Sequence, residues 1–547
     1  MKLKRAITVM PIIGSRKFSK QDLSVVEKTE DILVNLRRVS ETLGVKQAKN
    51  LYIKKARSLS RWKIVSFLFF GIFIVLSGIL TLIFTPLQIF LSIRLEMTPG
   101  LPPFDWWFEP PDEVILRVYL FNVTNSQRFL SGIDKKLKVQ EVGPIVYKEN
   151  LVHSNPVFND NGTLTYTAKR TVTFLPERNT ISLNTSIIMP NVALLLIPAY
   201  FHDTTMFLKL GINVLMKTYN SKPFIETTID NYLWNITDRI LVPAEKLAPS
   251  LVPTKNVGIM QIMYSNYQNN VTVYIGNEHG DSKFFTINTY DGSEFLPYFS
   301  NSACQLKFRN ASEGVSYPQM ITKSSNLTYW RKTICKLADI RYKNDEYRYG
   351  INGYNFEFVP WAYNRTEWEG NKDCYVGNPP LPNGLADISA CYWGFPMVLS
   401  FPHFVYGDDK IRTYVEGMSP NEEKHGSFVV IEPISGIPLE GKARSQINLR
   451  MNKLWGFNSD IQKFSDTIIP LAWLEYHQEG LPWYMQFLMY LVAVLVPMCQ
   501  MPFSIFCIIL GTVFTYLAVI GLKTCKKSNR LFDDEVLTFQ TESLLRE

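Results

Sequence analysis

Two long apolar runs, one near each end of the chain, constrain the fold more than any other feature. Ile64–Thr85 reads IVSFLFFGIFIVLSGILTLIFT, 22 residues without a charge, against the roughly 20 that an α-helix needs to cross a bilayer. Arg61 and Lys63 flank it on one side and Pro86 closes it on the other. A cleaved secretory leader is the rival reading, but its apolar core would be shorter and nearer the N-terminus. Met485–Leu522 then runs for 38 residues without a charge, too long for one simple span. Pro497 and Pro502 are expected to break it, giving an apolar helix at the membrane surface over Trp483–Met498 and a span over Phe503–Leu522. Lys523, Lys526, Lys527 and Arg530 follow at once. A two-span hairpin here would put that basic flank outside, against the bias of Lys and Arg toward the cytoplasm.

The formal charge of +8 is unevenly placed. Residues 1–63 hold 16 Lys/Arg against 5 Asp/Glu, while the long middle is close to neutral. That argues against nucleic acid as a partner of the main domain. The expected organisation is a cytoplasmic tail over 1–62, a first transmembrane helix over 63–85 and a large extracellular domain over 86–484. A membrane-associated helix plus second transmembrane helix over 485–522 and a second cytoplasmic tail over 523–547 complete it. At 46% hydrophobic residues the middle has ample apolar surface to fold.

Cysteines and sequons divide the same way. Cys499, Cys507 and Cys525 belong to the second apolar run, and Cys525, beside the inner face, is a candidate for palmitoylation. Cys304, Cys335, Cys374 and Cys391 lie in the middle. An even number in an oxidising compartment points to two disulfides with three pairings open; without a C-x2-C pair, zinc is not expected. All eight N-x-S/T sequons, at Asn122, Asn161, Asn184, Asn235, Asn270, Asn310, Asn326 and Asn364, fall between the anchors.

The middle reads as strands with a helical insertion. Val114–Val123, Lys138–Tyr147 and Thr163–Leu175 are strand-like, with a kink at Gly143-Pro144. Val271–Ile275 and Phe284–Thr289 read as a hairpin, and Phe428–Ile431 with Arg444–Met451 as a pair joined by Pro433–Gly436. Over Pro190–Leu247 the apolar spacing changes to three and four, predicting three short helices. In the N-terminal tail, Leu23–Leu43 has helical spacing.

Several stretches resemble the class B scavenger receptor family, which includes fatty-acid translocase, the lysosomal integral membrane protein and the insect croquemort and sensory-neuron membrane proteins. WWFEPPDEVILRVYLFNVTN from Trp106, EVGPIVYKE from Glu141, ADISACYWGFPMVLSFPHF from Ala386 and PNEEKHGSFVVIEPISGIPLEGKARSQIN from Pro420 occur in family order between two anchors, and an insect-type member fits best. The resemblance implies an α+β membrane protein, with two transmembrane helices flanking an antiparallel β-barrel ectodomain. That ectodomain would have a helical apex over 190–247 and a hydrophobic tunnel. It further implies the pairings Cys304–Cys374 and Cys335–Cys391. A third bridge common in the family is missing here, where Tyr375-Val376 and the loop after them lack both cysteines.

Enzyme motifs such as G-x-S-x-G, H-E-x-x-H and the P-loop are missing from the sequence. No cofactor, metal site or catalytic residue is expected, and His403 and His425 read as structural. The resemblance implies a cell-surface receptor that binds lipid carriers or hydrophobic ligands, such as fatty acids, sterols or carotenoids, and assists their uptake. Exposed cations at the apex, Lys209, Lys217 and Lys222, are candidates for capture; the family's pair of apex lysines falls at Thr218 and Asn220 here. Alternative partners are apoptotic-cell or microbial surfaces, or a hydrolase escorted to endolysosomes. A homo-oligomer is also compatible. The C-terminal ESLL, Glu542–Leu545, is a poor dileucine sorting signal, so the plasma membrane is expected, with both termini cytoplasmic and endosomal or lysosomal cycling open.

Overall fold

The computed structural model describes residues 45–110, 114–247, 254–296, 305–365 and 381–544. The tail helix read at Leu23–Leu43, and Cys304 and Cys374 with the Tyr375-Val376 loop, lie outside them. The chain forms two compact units: residues Thr85–Met498, and the segments up to Phe84 and from Cys499 onward.

The second of these units is helical. A helix runs over Val45–Ile83 and contains an apolar stretch, Arg61–Ile83, long enough to span a bilayer. The other comes from the long helical region with the apolar stretch Trp483–Lys526. The two helices approach through small residues. A Cβ added to Gly511 would lie 2.7 Å from the Gly71 carbonyl oxygen, and one added to Gly78 would lie 3.0 Å from that of Ser504. Thr81 and Ser504 share a hydroxyl–hydroxyl hydrogen bond of 2.7 Å, and Gln500 Nε2 donates to the Thr81 carbonyl. Phe69, Phe73, Phe506 and Tyr516 point outward, the arrangement of helices that pack on each other and face lipid.

Pro497 and Pro502 do not break the second apolar run as expected. Helix Trp483–Tyr490 passes through a π-helical turn, Leu491–Leu495, into helix Val496–Leu544, with Pro502 inside it. A proline removes one intrahelical hydrogen bond, and a widened turn next to it absorbs the mismatch. The first run does end as read. Its helix stops at Ile83, and Thr85 caps a new one over Pro86–Glu96, accepting a hydrogen bond from the Gln88 amide.

The Thr85–Met498 unit is built on one large, nearly closed sheet. Its strand order is Ile287–Tyr290, Gln268–Tyr274, Thr163–Phe174, Leu137–Asn159, Val114–Val123, Thr467–Gln478, Pro438–Met451, Phe428–Ile431, Ile351–Phe358, Lys336–Arg348, Leu327–Arg331 and Ala311–Ser312. The ends of that order meet through side chains. Trp330 meets Tyr290 and Phe308 edge-on and those two are tilted on each other, with ring centroids 5.3–5.9 Å apart. The sheet is mixed rather than purely antiparallel, because Ala311–Ser312 and the short strand Val415–Glu416 pair in parallel. The strand pair expected at Phe428–Ile431 forms with residues 438–442, while 444–451 pairs with Thr467–Gln478 instead.

The insertion holds more than three helices. Val192–Tyr200, Met206–Thr218, Ile229–Trp234 and Leu241–Leu247 are helical, and Phe224–Thr228 is a strand paired with Ser186–Pro190. FIETT carries two adjacent threonines and an isoleucine, and its β-branching outweighs the helical spacing around it.

Candidate functional site

Inside the sheet lies a cavity of about 400 Å3. One part of its wall is apolar. Phe90 comes from helix Pro86–Glu96, Trp106 from helix Pro102–Phe108, Met485 from helix Trp483–Tyr490 and Leu481 from the segment just before it. These residues pack with Ile351, Val430, Ile437 and Leu439 as one cluster. The outer faces of the same helices expose Ile89, Trp483 and Phe487.

Another part of the wall is charged. Glu149, Arg170, Arg331 and Glu313 line the cavity, and all four are buried. Strand alternation explains how charges arrive there. Tyr147 and Glu149, then Tyr166, Ala168 and Arg170, then Leu327, Tyr329 and Arg331 occupy every second position of their strands and are all buried. Glu149 sits between the two arginines. Its Oε2 accepts from Arg331 Nη2 and from the Tyr264 hydroxyl at 2.5 Å, and its Oε1 accepts from Arg170 Nη1 at 3.3 Å. The Arg331 guanidinium lies 3.7 Å from the centre of the Tyr476 ring. Burial works to raise the Glu149 carboxyl, but the Arg331 and Arg170 charges outweigh it and hold it below the usual range. Glu313 differs. It approaches Arg170 Nη2 only to 3.7 Å, and burial keeps its carboxyl above the usual range. Arg94, also lining the cavity, donates to the Ser435 carbonyl and the Ser316 hydroxyl, and burial lowers it to about 10.

A second cavity, about 420 Å3, is lined by Asn256, Ile262, Met263, Lys332, Tyr392 and Trp393 among others. Thr333 also lines it, and its hydroxyl lies 3.5 Å from that of Tyr476, which lines the first. The disulfide Cys335–Cys391, Cα atoms 6.1 Å apart, runs beside this second cavity, which Cys391 also lines.

The three apex lysines do not act as one group. Lys209 is buried, in step with Ile212 and Met216 on the inner face of helix Met206–Thr218. Its ammonium lies 5.9 and 5.7 Å from the ring centres of Trp455 and Phe457. It is therefore not an exposed cation, because helical periodicity points it into the core. Lys217 and Lys222 are exposed. The outer face of the helix is apolar instead, with Phe207, Leu210 and Val214 in solvent. Among the sequons, Asn161, Asn184, Asn235, Asn270, Asn310 and Asn326 are exposed and Asn122 and Asn364 half-buried. Cys525 is unpaired and partly exposed. Sequence reasoning missed the Glu149–Arg170–Arg331 cluster. The available signal was a charge in phase with buried apolar positions.

Two apolar helical spans and a nearly closed sheet around a cavity define a membrane-anchored β-domain protein. The sequence profile of the CD36 family matches residues 68–522, and the chain belongs to that family. It is 26% identical over 427 residues to scavenger receptor class B member 1 of Rattus norvegicus, covering 76% of this chain and 81% of the relative. It is 30% identical over 375 residues to lysosome membrane protein 2 of Rattus norvegicus and 29% identical to that of Homo sapiens, covering 66% of this chain and 74% of each relative. The chain is thus a membrane protein with two spans and a scavenger receptor by family.

Proposed function

We propose that this receptor binds lipid carriers or free hydrophobic ligands at the cell surface and passes the lipid through the interior of its β-domain. The cavity carries this reading, because its apolar wall is made by Phe90, Trp106, Leu481 and Met485, from segments that lie close to the two spans in sequence. Each CH2 exposed to water costs about 0.8 kcal/mol, so a long acyl chain leaves a carrier slowly. An apolar route removes that cost, and the lipid moves down its own gradient without a nucleotide. In this reading both tails are cytoplasmic, as the basic flanks of the two apolar runs favour. The test fills the cavity. Ala443 lines it, and Ala443→Trp is expected to cut cellular uptake of a labelled lipid at least about fivefold at unchanged surface level. Undiminished uptake would overturn the transfer role.

A second reading, particle recognition without transfer, draws on the exposed apolar face of Phe207, Leu210 and Val214. It predicts the opposite pattern: Ala443→Trp leaves particle binding intact, and Phe207→Ser abolishes it.

A further inference from the structure

We propose that the basic ends of the two spans together form a site for phosphorylated inositol lipids of the cytoplasmic leaflet. The proposal rests on the reading in which both tails are cytoplasmic, and the cavity of the β-domain plays no part in it. The two span helices run antiparallel. Gly78 faces Ser504 and Ile508, Gly71 faces Gly511 and Thr515, and Gly521 faces Ile64. That register brings the chain just before Ile64 beside the chain just after Gly521. Arg61 and Lys63 on one helix therefore stand at the level of Lys523 and Lys526 on the other, and all four are exposed.

The charge around this level is one-sided. Helix Val45–Ile83 begins well outside its apolar stretch, and residues 45–63 hold seven Lys/Arg and no Asp/Glu. The second helix continues to Leu544 and adds Lys523, Lys526, Lys527 and Arg530. Its first carboxylates, Asp533, Asp534 and Glu535, come about two helical turns beyond Lys526. No other Asp or Glu occurs between Glu41 and Glu96 or between Glu479 and Asp533. Trp62, between Arg61 and Lys63, is 72% exposed, as suits a ring at the level of lipid head groups. A basic flank on each span is enough to orient it. Holding the two flanks side by side adds repulsion, which an anion lying between the helices relieves. A phosphatidylserine head brings one net negative charge. An inositol ring with several phosphates gathers more charge on one rigid group and meets cations of both helices at once.

The test places the full-length chain in phosphatidylcholine nanodiscs containing either phosphatidylinositol bisphosphate or phosphatidylserine at equal total charge. Lipids that stay bound after transfer to detergent are counted by native mass spectrometry. The bisphosphate is expected to be retained about tenfold more than phosphatidylserine. Replacing Lys523, Lys526 and Lys527 together by Gln should bring that ratio near one. Replacing the exposed ectodomain residues Lys135, Lys136 and Lys169 by Gln removes the same charge elsewhere and should leave it unchanged. Equal retention of the two lipids by the unaltered chain overturns the proposal, whether or not the variants fold. A ratio that falls equally in both variants overturns the placement of the site at the span ends. Nanodiscs offer lipid on both faces, so failure here is distinct from failure of the cytoplasmic placement, which antibody access to the tails reads separately.

Discussion

At the scale of the residue, two buried histidines tie the fold to pH. His153 lies between Trp107 and Tyr166, with ring centroids 4.6 and 4.8 Å away, and its Nδ1–H donates to the Trp107 carbonyl. Its Nε2 has no partner, so a second proton there would go unmet; burial pushes the group down to about 3. His425 stacks on His403 at 4.4 Å and accepts the Asn421 amide at Nδ1. Burial and the neighbouring His403 lower it to about 4, with Arg444 and Lys424 adding to the effect and Glu141 opposing it. Both groups therefore stay neutral in the fold at pH values where the unfolded chain takes up protons. Stability is full above about pH 6.5 and is lost as pH falls toward 4, by roughly 2–3 kcal/mol per histidine at pH 4.5. Thermal melts should show a Tm several degrees lower at pH 4.5 than at 7.5. His153→Gln should lower Tm at pH 7.5 and flatten its pH dependence; a variant as pH-sensitive as the parent would refute the account for His153. Little of this was legible beforehand. The sequence offers His403 and His425 as structural, but the partner Glu141 comes from a strand far earlier in the chain, and Trp473, whose ring packs against both, from a separate strand after them. Lys209 was misread for the same reason, since Trp455 and Phe457 reach it from a distant segment.

At the scale of the element, the spans hold together by close backbone approach. Gly511 sits against Gly71 and Val75, and a Cβ there would meet the Val75 amide at 2.8 Å. Backbone cannot yield as a flexible side chain can, so Gly511→Leu should splay the pair at a cost of about 1–3 kcal/mol. Gly521 is the control, because a Cβ there meets only the Ile64 side chain at an ordinary 3.5 Å. Gly511→Leu should lower the aggregation temperature of the detergent-solubilised chain and Gly521→Leu should not; equal behaviour of the two would remove the seam from the argument. Hydropathy found both apolar runs because twenty apolar residues in a row are a local signal. It could not separate Gly511 from Gly521, since only the facing helix distinguishes them. The strand Phe224–Thr228 was hidden in turn by a partner 40 residues earlier, Ser186–Pro190.

At the scale of the whole molecule, the sheet is assembled by pairings between strands far apart in sequence. Val114 pairs with Gln478 and Gln446 with Ser400, so the strands were legible one by one while their order was not. The motifs supplied what periodicity lacked: they identified the family from stretches at Trp106, Glu141, Ala386 and Pro420. The same scale fixes the last prediction. Two spans place both termini on one side of the membrane, and every sequon belongs to the other side. Glycan occupancy should follow exposure. Asn161, Asn184, Asn235, Asn270, Asn310 and Asn326 stand clear of the surface. The Asn122 side-chain oxygen accepts the Ile188 amide at 2.8 Å, and that of Asn364 accepts the Gly384 amide at 2.6 Å. A sugar would be joined at Nδ2 and leave those bonds intact, but each bond holds a half-buried side chain in place and limits the room around its nitrogen. Peptide mapping after enzymatic deglycosylation in heavy-oxygen water should mark the six exposed sites and leave Asn122 and Asn364 unmarked. Tags at both termini should bind antibody only after permeabilisation. A C-terminal tag accessible on intact cells would mean that the long second apolar run crosses the membrane twice, and the two-span architecture would have to be abandoned.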